Sequence, residues 1–202
     1  MKFKHVTQSK ILEDISAVTT DTGRYYLSPS GKHLPSVTTV TGWKKSKFFA
    51  SWRRKNPKEA KRVTVRGNEF HELIERYLYN NLLITDECID IPDSLLTLFN
   101  QLKPELDKID NIRGLETGLW SDKVGLAGRA DCVAEYDGKL SIIDFKGSTR
   151  TKRLRDIENY YLQATAYALM WQDIYKEEIP HFHILISCED GNSQVFRGRT
   201  ID

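Results

Sequence analysis

Three side chains recur in a pattern suited to phosphodiester chemistry. Asp131 lies on one predicted strand, Asp144 and Lys146 lie on the next, and Asp137-Gly138 joins the two. Asp-Gly between alternating strands favours a two-residue type I′ turn, because both loop positions require a positive φ. With Tyr136 opposite Lys139, the pairing carries back to Asp131 opposite Asp144. That rung would be a non-hydrogen-bonded one, with Cα atoms about 4.5 Å apart. Two carboxylates so placed repel each other, and a shared proton, a cation or both must offset the repulsion. A hard divalent ion accepts one or two carboxylates and fills its remaining positions with water and phosphate, acting as a Lewis acid toward both. Lys146 shares the face of Asp144 by strand periodicity, where it can orient an attacking water or stabilise developing charge. The competing reading is a surface hairpin with a chance acid pair, and a single bulge would break the register.

The elements that must position these residues are legible around them. Residues 111–120, 125–136 and 139–146 read as strands, as do 181–187 and 193–198. Before them, residues 24–28 read as a short strand, Ser28-Pro29-Ser30-Gly31-Lys32 as a turn, and Pro35-Ser36-Val37-Thr38-Thr39 as a helix start. Helical periodicity runs from about 46 to 82, interrupted at Asn56-Pro57, where Pro suits the first turn of a new helix. Phe70, Leu73, Ile74, Tyr77 and Leu78 mark its apolar face. Another helix follows Ile91-Pro92-Asp93-Ser94, and a third occupies 156–175. The expected fold is α/β, with a mixed sheet flanked by helices and an N-terminal helical elaboration. With 202 residues and no internal repeat, the chain reads as one domain, about 36–110 forming a helical region and about 111–202 the sheet-and-helix core.

Composition narrows the partners. The net charge of +2 conceals two basic runs: ten Lys or Arg against Glu59 alone in 44–66, and five with no acid in 146–155, of 30 in the chain. Charge so concentrated beside a carboxylate site points to a polyanion rather than to solvated helix faces. Trp43, Phe48, Phe49 and Trp52 are interleaved with the first run, an arrangement suited to stacked bases and phosphates of a single strand. Cys88, Cys132 and Cys188 form no C-x-x-C pair, so a zinc or iron–sulfur cage is not expected. No apolar run is long enough to span a membrane. The N-terminal residues lack the apolar segment of a secretory signal.

At Asp131…Ile143-Asp144-Phe145-Lys146 the sequence resembles the PD-(D/E)XK nuclease superfamily. Gln163-Ala164-Thr165-Ala166-Tyr167 is similar to the Q-x-x-x-Y helix of its RecB-like branch, and Gly67-Asn68-Glu69-Phe70-His71-Glu72-Leu73-Ile74-Glu75 to that branch's upstream G-x-x-x-H-x-x-x-E helix. Asp131-Cys132-Val133-Ala134-Glu135-Tyr136 with Pro35-Ser36-Val37-Thr38-Thr39 resembles most the mitochondrial genome maintenance exonuclease group and its phage and bacterial relatives. The resemblance spans about 35–175 and implies a restriction-endonuclease-like core. It also implies one or two Mg²⁺ or Mn²⁺ ions on His71, Asp131, Asp144 and the Phe145 carbonyl, and a catalytic role for Lys146. Gln163 and Tyr167 would brace the site or touch DNA, with Glu75 and Glu116 as peripheral acids. Gly147 stands where many relatives carry Thr, so a hydroxyl contact to DNA would come from Ser148 or Thr149. The absence of a mitochondrial presequence suggests a cytoplasmic protein of a bacterium or an infecting phage.

Together these readings imply a sequence-non-specific DNA exonuclease that prefers single strands and serves replication, recombination or repair, alongside proteins of those processes. Its DNA contacts would come from Lys44, Lys45, Lys47, Trp52, Arg53, Arg54, Arg66, Ser148, Thr149, Arg150 and Lys152. The rivals are a flap- or branch-specific endonuclease and an inactive DNA-binding module. The second rival is disfavoured because Asp131, Asp144 and Lys146 are all present.

Overall fold

A computed structural model describes residues 2–8, 15–82 and 91–200; Cys88 lies outside them. Elements follow in the order β1 (Ala17–Thr20), β2 (Gly23–Leu27), β3 (His33–Pro35), α1 (Val37–Thr41), α2 (Trp43–Lys55), α3 (Pro57–Leu78) and α4 (Asp93–Leu106). Then come β4 (Ile109–Ser121), β5 (Leu126–Tyr136), β6 (Lys139–Ser148), α5 (Glu158–Tyr175), β7 (His181–Cys188) and β8 (Ser193–Arg199).

Local chemistry sets the helix boundaries. Ser36 caps α1 by accepting the Thr39 N–H at 3.0 Å, which satisfies an orphan donor of the first turn. Asn56 leaves the helical region and Pro57 opens α3 at its first position, where its missing N–H costs no hydrogen bond. The break therefore divides the periodic stretch into α2, with no buried residue, and α3, which buries Phe70, Leu73, Ile74, Tyr77 and Leu78.

Five strands form a mixed sheet in the order β4-β5-β6-β7-β8. All pairs are antiparallel except β6 and β7, which run parallel and are joined through α5, as a parallel pair requires. Alternation along the strands gives the sheet two apolar faces. Cys132, Ala134, Ile143, Phe145 and Leu185 pack with α3 and α4. Val133, Ile142, Ile184 and Ile186 pack with Ala164, Tyr167, Met170 and Trp171 of α5. The sequence leaves β1 and β3 unread. β1 is exposed at every residue, so it carries no alternation to detect, and β3 has three residues. With β2 they form a small antiparallel sheet that packs Tyr26 and Leu34 against Ala127 of β5.

The Asp137-Gly138 turn forms as expected. Both residues have positive φ, 48° and 74°, and the ladder starts at Tyr136↔Lys139. Replacing Gly138 by Val should lower stability by about 1–2 kcal/mol, the cost of a left-handed β-branched residue. Equilibrium denaturation would measure it; an unchanged midpoint would show that the turn does not set the hairpin.

Candidate active site

The β5–β6 ladder reaches Cys132↔Ile143 and stops there, one rung short of the two aspartates. The regular cross-strand rung expected for Asp131 and Asp144 is thus replaced by another contact. Had the ladder continued, the Phe145 N–H would have met a backbone carbonyl of β5. It donates instead to Asp131 Oδ2 at 2.9 Å. The strands part where the carboxylates sit, and helices on both faces of the sheet reach the gap.

From the α5 side, Gln163 donates through Nε2 to Asp144 Oδ1 at 3.2 Å. Asp144 is 2% exposed. Lys146 Nζ lies 2.6 Å from each of its oxygens and 3.8 Å from Asp131 Oδ2. The lysine hydrogen bond runs to Oδ1, and the buried Oδ2 has no directed donor. Burial pushes the Asp144 carboxyl above its ordinary range, Lys146 opposes that shift, and Asp131 adds to it. For Lys146, burial alone would favour the neutral amine, but Asp144 and Asp131 outweigh it and hold the ammonium. The Tyr160 ring sits 5.3 Å from Nζ, a cation–π contact. Tyr167 is buried, and its ring lies so close to Gly128 that a Cβ there would meet it at 3.0 Å.

From the α3 side, His71 Nδ1 lies 3.5 Å from Glu116 Oε1 and 3.7 Å from Asp131 Oδ2, with the imidazole edge-on to Phe145. Burial would lower the His71 pKa, but Asp131 and Glu116 raise it overall. One ligand atom each from His71, Glu116 and Asp131 fall within 4.8 Å of one another. Glu116 therefore stands inside the cluster rather than at its periphery, while Asp144 is engaged by Lys146. Glu116 has φ 45°, a left-handed conformation that costs a non-glycine residue about 1–3 kcal/mol. Glu75 faces the same cleft, of about 530 Å³, with Gly67, Asn68, Glu72 and Gly147. Its pKa is raised by burial and by Glu116.

These donors suit a hard cation. Two carboxylates and an imidazole converge, and the undirected Oδ2 of Asp144 adjoins them through Lys146. Tyr160 was not singled out from the sequence, although it lies three residues before Gln163 and shares its helix face. Gly128 carried no local signal, since its role depends on a helix that is distant in the chain.

The expected DNA contacts divide by placement. Lys44, Lys47, Arg53 and Arg54 are exposed on α2, as are Trp43 and Phe48, both 66%; Trp52 is partly covered. Lys45 donates to the Asp156 carbonyl at 2.8 Å, tying α2 to the segment before α5. Thr149 and Arg150 are exposed and Lys152 is half-buried. Ser148 is buried and gives its hydroxyl to the Arg150 carbonyl at 2.6 Å. It therefore faces the protein, which corrects its assignment as a hydroxyl contact to DNA. Arg66 is largely buried beside Gly147 and pairs with Glu189 at 2.6 Å, as does Arg62 at 2.5 Å.

The family described as the PD-(D/E)XK nuclease superfamily matches residues 99–181, the stretch that carries Asp131, Asp144, Lys146, Gln163 and Tyr167. Over that stretch the chain is similar to the PD-(D/E)XK nuclease superfamily. It is similar to Mitochondrial genome maintenance exonuclease 1 of Homo sapiens, with 28% identity over 136 residues, 64% of this chain and 38% of the relative. The protein of that name from Mus musculus is 27% identical over 179 residues, 79% and 51% of the two chains. The one from Xenopus tropicalis is 28% identical over 129 residues, 62% and 36%. The chain spans about half or less of the length of these relatives. Their name and vertebrate origin overturn the expectation of a cytoplasmic bacterial or phage protein. That expectation rested on the lack of a presequence, which says nothing for a chain spanning part of its relatives.

The Arg62–Glu189–Arg66 cluster makes a pH prediction. Hydrogen bonds from Arg62, opposed by burial and reinforced by Arg66, hold the Glu189 pKa down at about 2. A carboxyl depressed in the fold contributes stability at neutral pH that is lost as pH falls. The window runs from about 4.5 to about 2. Glu189→Gln should lower the neutral-pH denaturation midpoint and flatten its decline across that window; parallel acid limbs for both proteins would refute the linkage.

Proposed function

We propose that the chain is a metal-dependent DNA exonuclease that prefers single strands, ignores base sequence and serves replication, recombination or repair. The observation that carries this reading is the convergence of His71, Glu116 and Asp131 within 4.8 Å, beside the Lys146–Asp144 pair in an open cleft. The match of residues 99–181 to a nuclease superfamily supports the hydrolytic class. The relatives' name supports exonuclease action on DNA and a mitochondrial setting.

His71, Glu116 and Asp131 would hold Mg²⁺ or Mn²⁺, with Asp144 and the Phe145 carbonyl completing the set. The ion supplies Lewis acidity toward water and phosphoryl oxygens. The chain's own residues do the rest. Gln163 keeps Asp144 turned toward the gap. Lys146, cationic and backed by Tyr160, presents an ammonium where phosphate charge develops. Tyr167 closes the α5 side and excludes water. Exposed aromatics and cations of α2 would take the bases and phosphates of an incoming strand, with Arg66, Thr149, Arg150 and Lys152 near the cleft.

Lys146→Ala and Asp131→Asn should each lower cleavage of labelled single strands by about a hundredfold or more, and a chelator should abolish it. Glu116→Gln should raise the Mg²⁺ concentration needed for half-maximal rate. Wild-type rates in Lys146→Ala would sink the catalytic assignment. Circular single-stranded DNA should stay intact; its cleavage would replace this reading with a structure-specific endonuclease.

The α2 surface is tested separately. Changing Lys44, Lys47, Arg53 and Arg54 to Ala should weaken single-strand binding. It should also make the plot of log affinity against log salt shallower by up to about 3, from about 0.7 per phosphate contact. An unchanged slope would remove α2 from the interface.

A further inference from the structure

A second cavity, this one cationic, lies at the other end of the sheet. It measures about 250 Å³ and is walled by Tyr136 and Lys139 at the hairpin tip, His181 and His183 of β7, and Arg197 and Arg199 of β8. Lys139 is seven residues from Lys146 along β6, which places the two about 23 Å apart.

Strand register builds this cavity. His181 pairs with Arg199 and His183 with Arg197 across β7 and β8. Ser141, two residues beyond Lys139, pairs with His181 across β6 and β7. Residues two apart share a face, so all five basic side chains project from the same side of three adjacent strands. Three of them, Lys139, Arg197 and Arg199, are cations gathered on one face, and an anion would offset their mutual repulsion. Among the described residues, Lys139, Arg197 and Arg199 have no ion-pair partner. Asp137 is the lone carboxylate in the wall.

His183 adds a buried component. It is 6% exposed, its ring stacks on Tyr136 at 4.2 Å, and its Nδ1 has no hydrogen-bond partner. Burial above all, with smaller contributions from His181 and Arg197 and opposed by Asp137, pushes its pKa down to about 4.

We infer that this cavity is a phosphate-binding site separate from the Asp144 cleft. Two guanidinium forks match the oxygens of a phosphoryl group in paired fashion, which a lone lysine cannot do. The volume is roughly eight times one water's share of liquid, so it admits a phosphoryl group with an attached sugar. The phosphate belongs either to the DNA strand beyond the cleft or to a free nucleotide. The site does not depend on the nuclease reading, because none of its residues touches His71, Glu116, Asp131 or Asp144.

The test follows the imidazole resonances of His181 and His183 while inorganic phosphate is added to the full chain at constant ionic strength. Wild type and Asp144→Ala should show saturable shifts. Arg197→Gln combined with Arg199→Gln should lose them, as should the milder Lys139→Gln in part, with the rest of the spectrum unchanged. Displacement of phosphate by an oligonucleotide long enough to span both sites, but not by a short one, assigns the group to the substrate strand. Displacement by a mononucleotide and by neither oligonucleotide assigns it to free nucleotide. No saturable shift in wild type, or shifts that persist in the double variant and in Lys139→Gln, overturns the site.

Discussion

Everything at the candidate centre depends on negative charge crowded where two strands separate. Asp131 and Asp144 approach a single ammonium, Lys146, whose Nζ sits 2.6 Å from one carboxylate and 3.8 Å from the other. Removing these groups from water disfavours their charged forms, and mutual repulsion adds to that cost. The fold tolerates the arrangement because each acid has a compensating contact. Asp131 accepts a backbone N–H, Asp144 accepts Lys146 and Gln163, and Glu116 faces His71. The remaining negative potential is open toward the cleft, where a divalent ion would find it.

Two faces of one sheet are needed to build such a centre. α3 delivers His71 from one side, and α5 delivers Gln163, Tyr160 and Tyr167 from the other. The gap between β5 and β6 lets both sets meet. A continuous ladder would have kept the two faces apart, so the side-chain acceptor that interrupts it matters more than any single ligand. Glu116 shows the same economy: its left-handed backbone is unfavourable locally and turns a carboxylate toward the cluster.

Much of the sheet was legible because its signals are local. Asp137-Gly138 determined the turn, strand-like apolar runs marked β4 to β8, and Pro57 determined the helix break. The motif residues were legible for the same reason, being spaced by helix and strand periods. What escaped depends on contacts remote in sequence. The close of the ladder at Cys132↔Ile143, the entry of Glu116 into the cluster and the inward turn of Ser148 follow from packing that no short window contains. The small sheet of β1 to β3 escaped because exposed, three- or four-residue strands leave no pattern. The cellular compartment escaped for a different reason, since it is not a physical property of the fold.

The parallel joining of β6 to β7 through α5 bears on the order in which the molecule comes into being. Asp144 and Lys146 lie on β6, yet their brace, Gln163, arrives only with the crossover helix, which packs on β4, β5 and β6 and is completed by β7. Long loops must close before such contacts repay their entropy, so this part of the topology forms late and slowly. During synthesis the emerging chain would expose both aspartates well before it could arrange them. A centre of this design is completed only once the residues that follow its aspartates in the chain have folded back onto them.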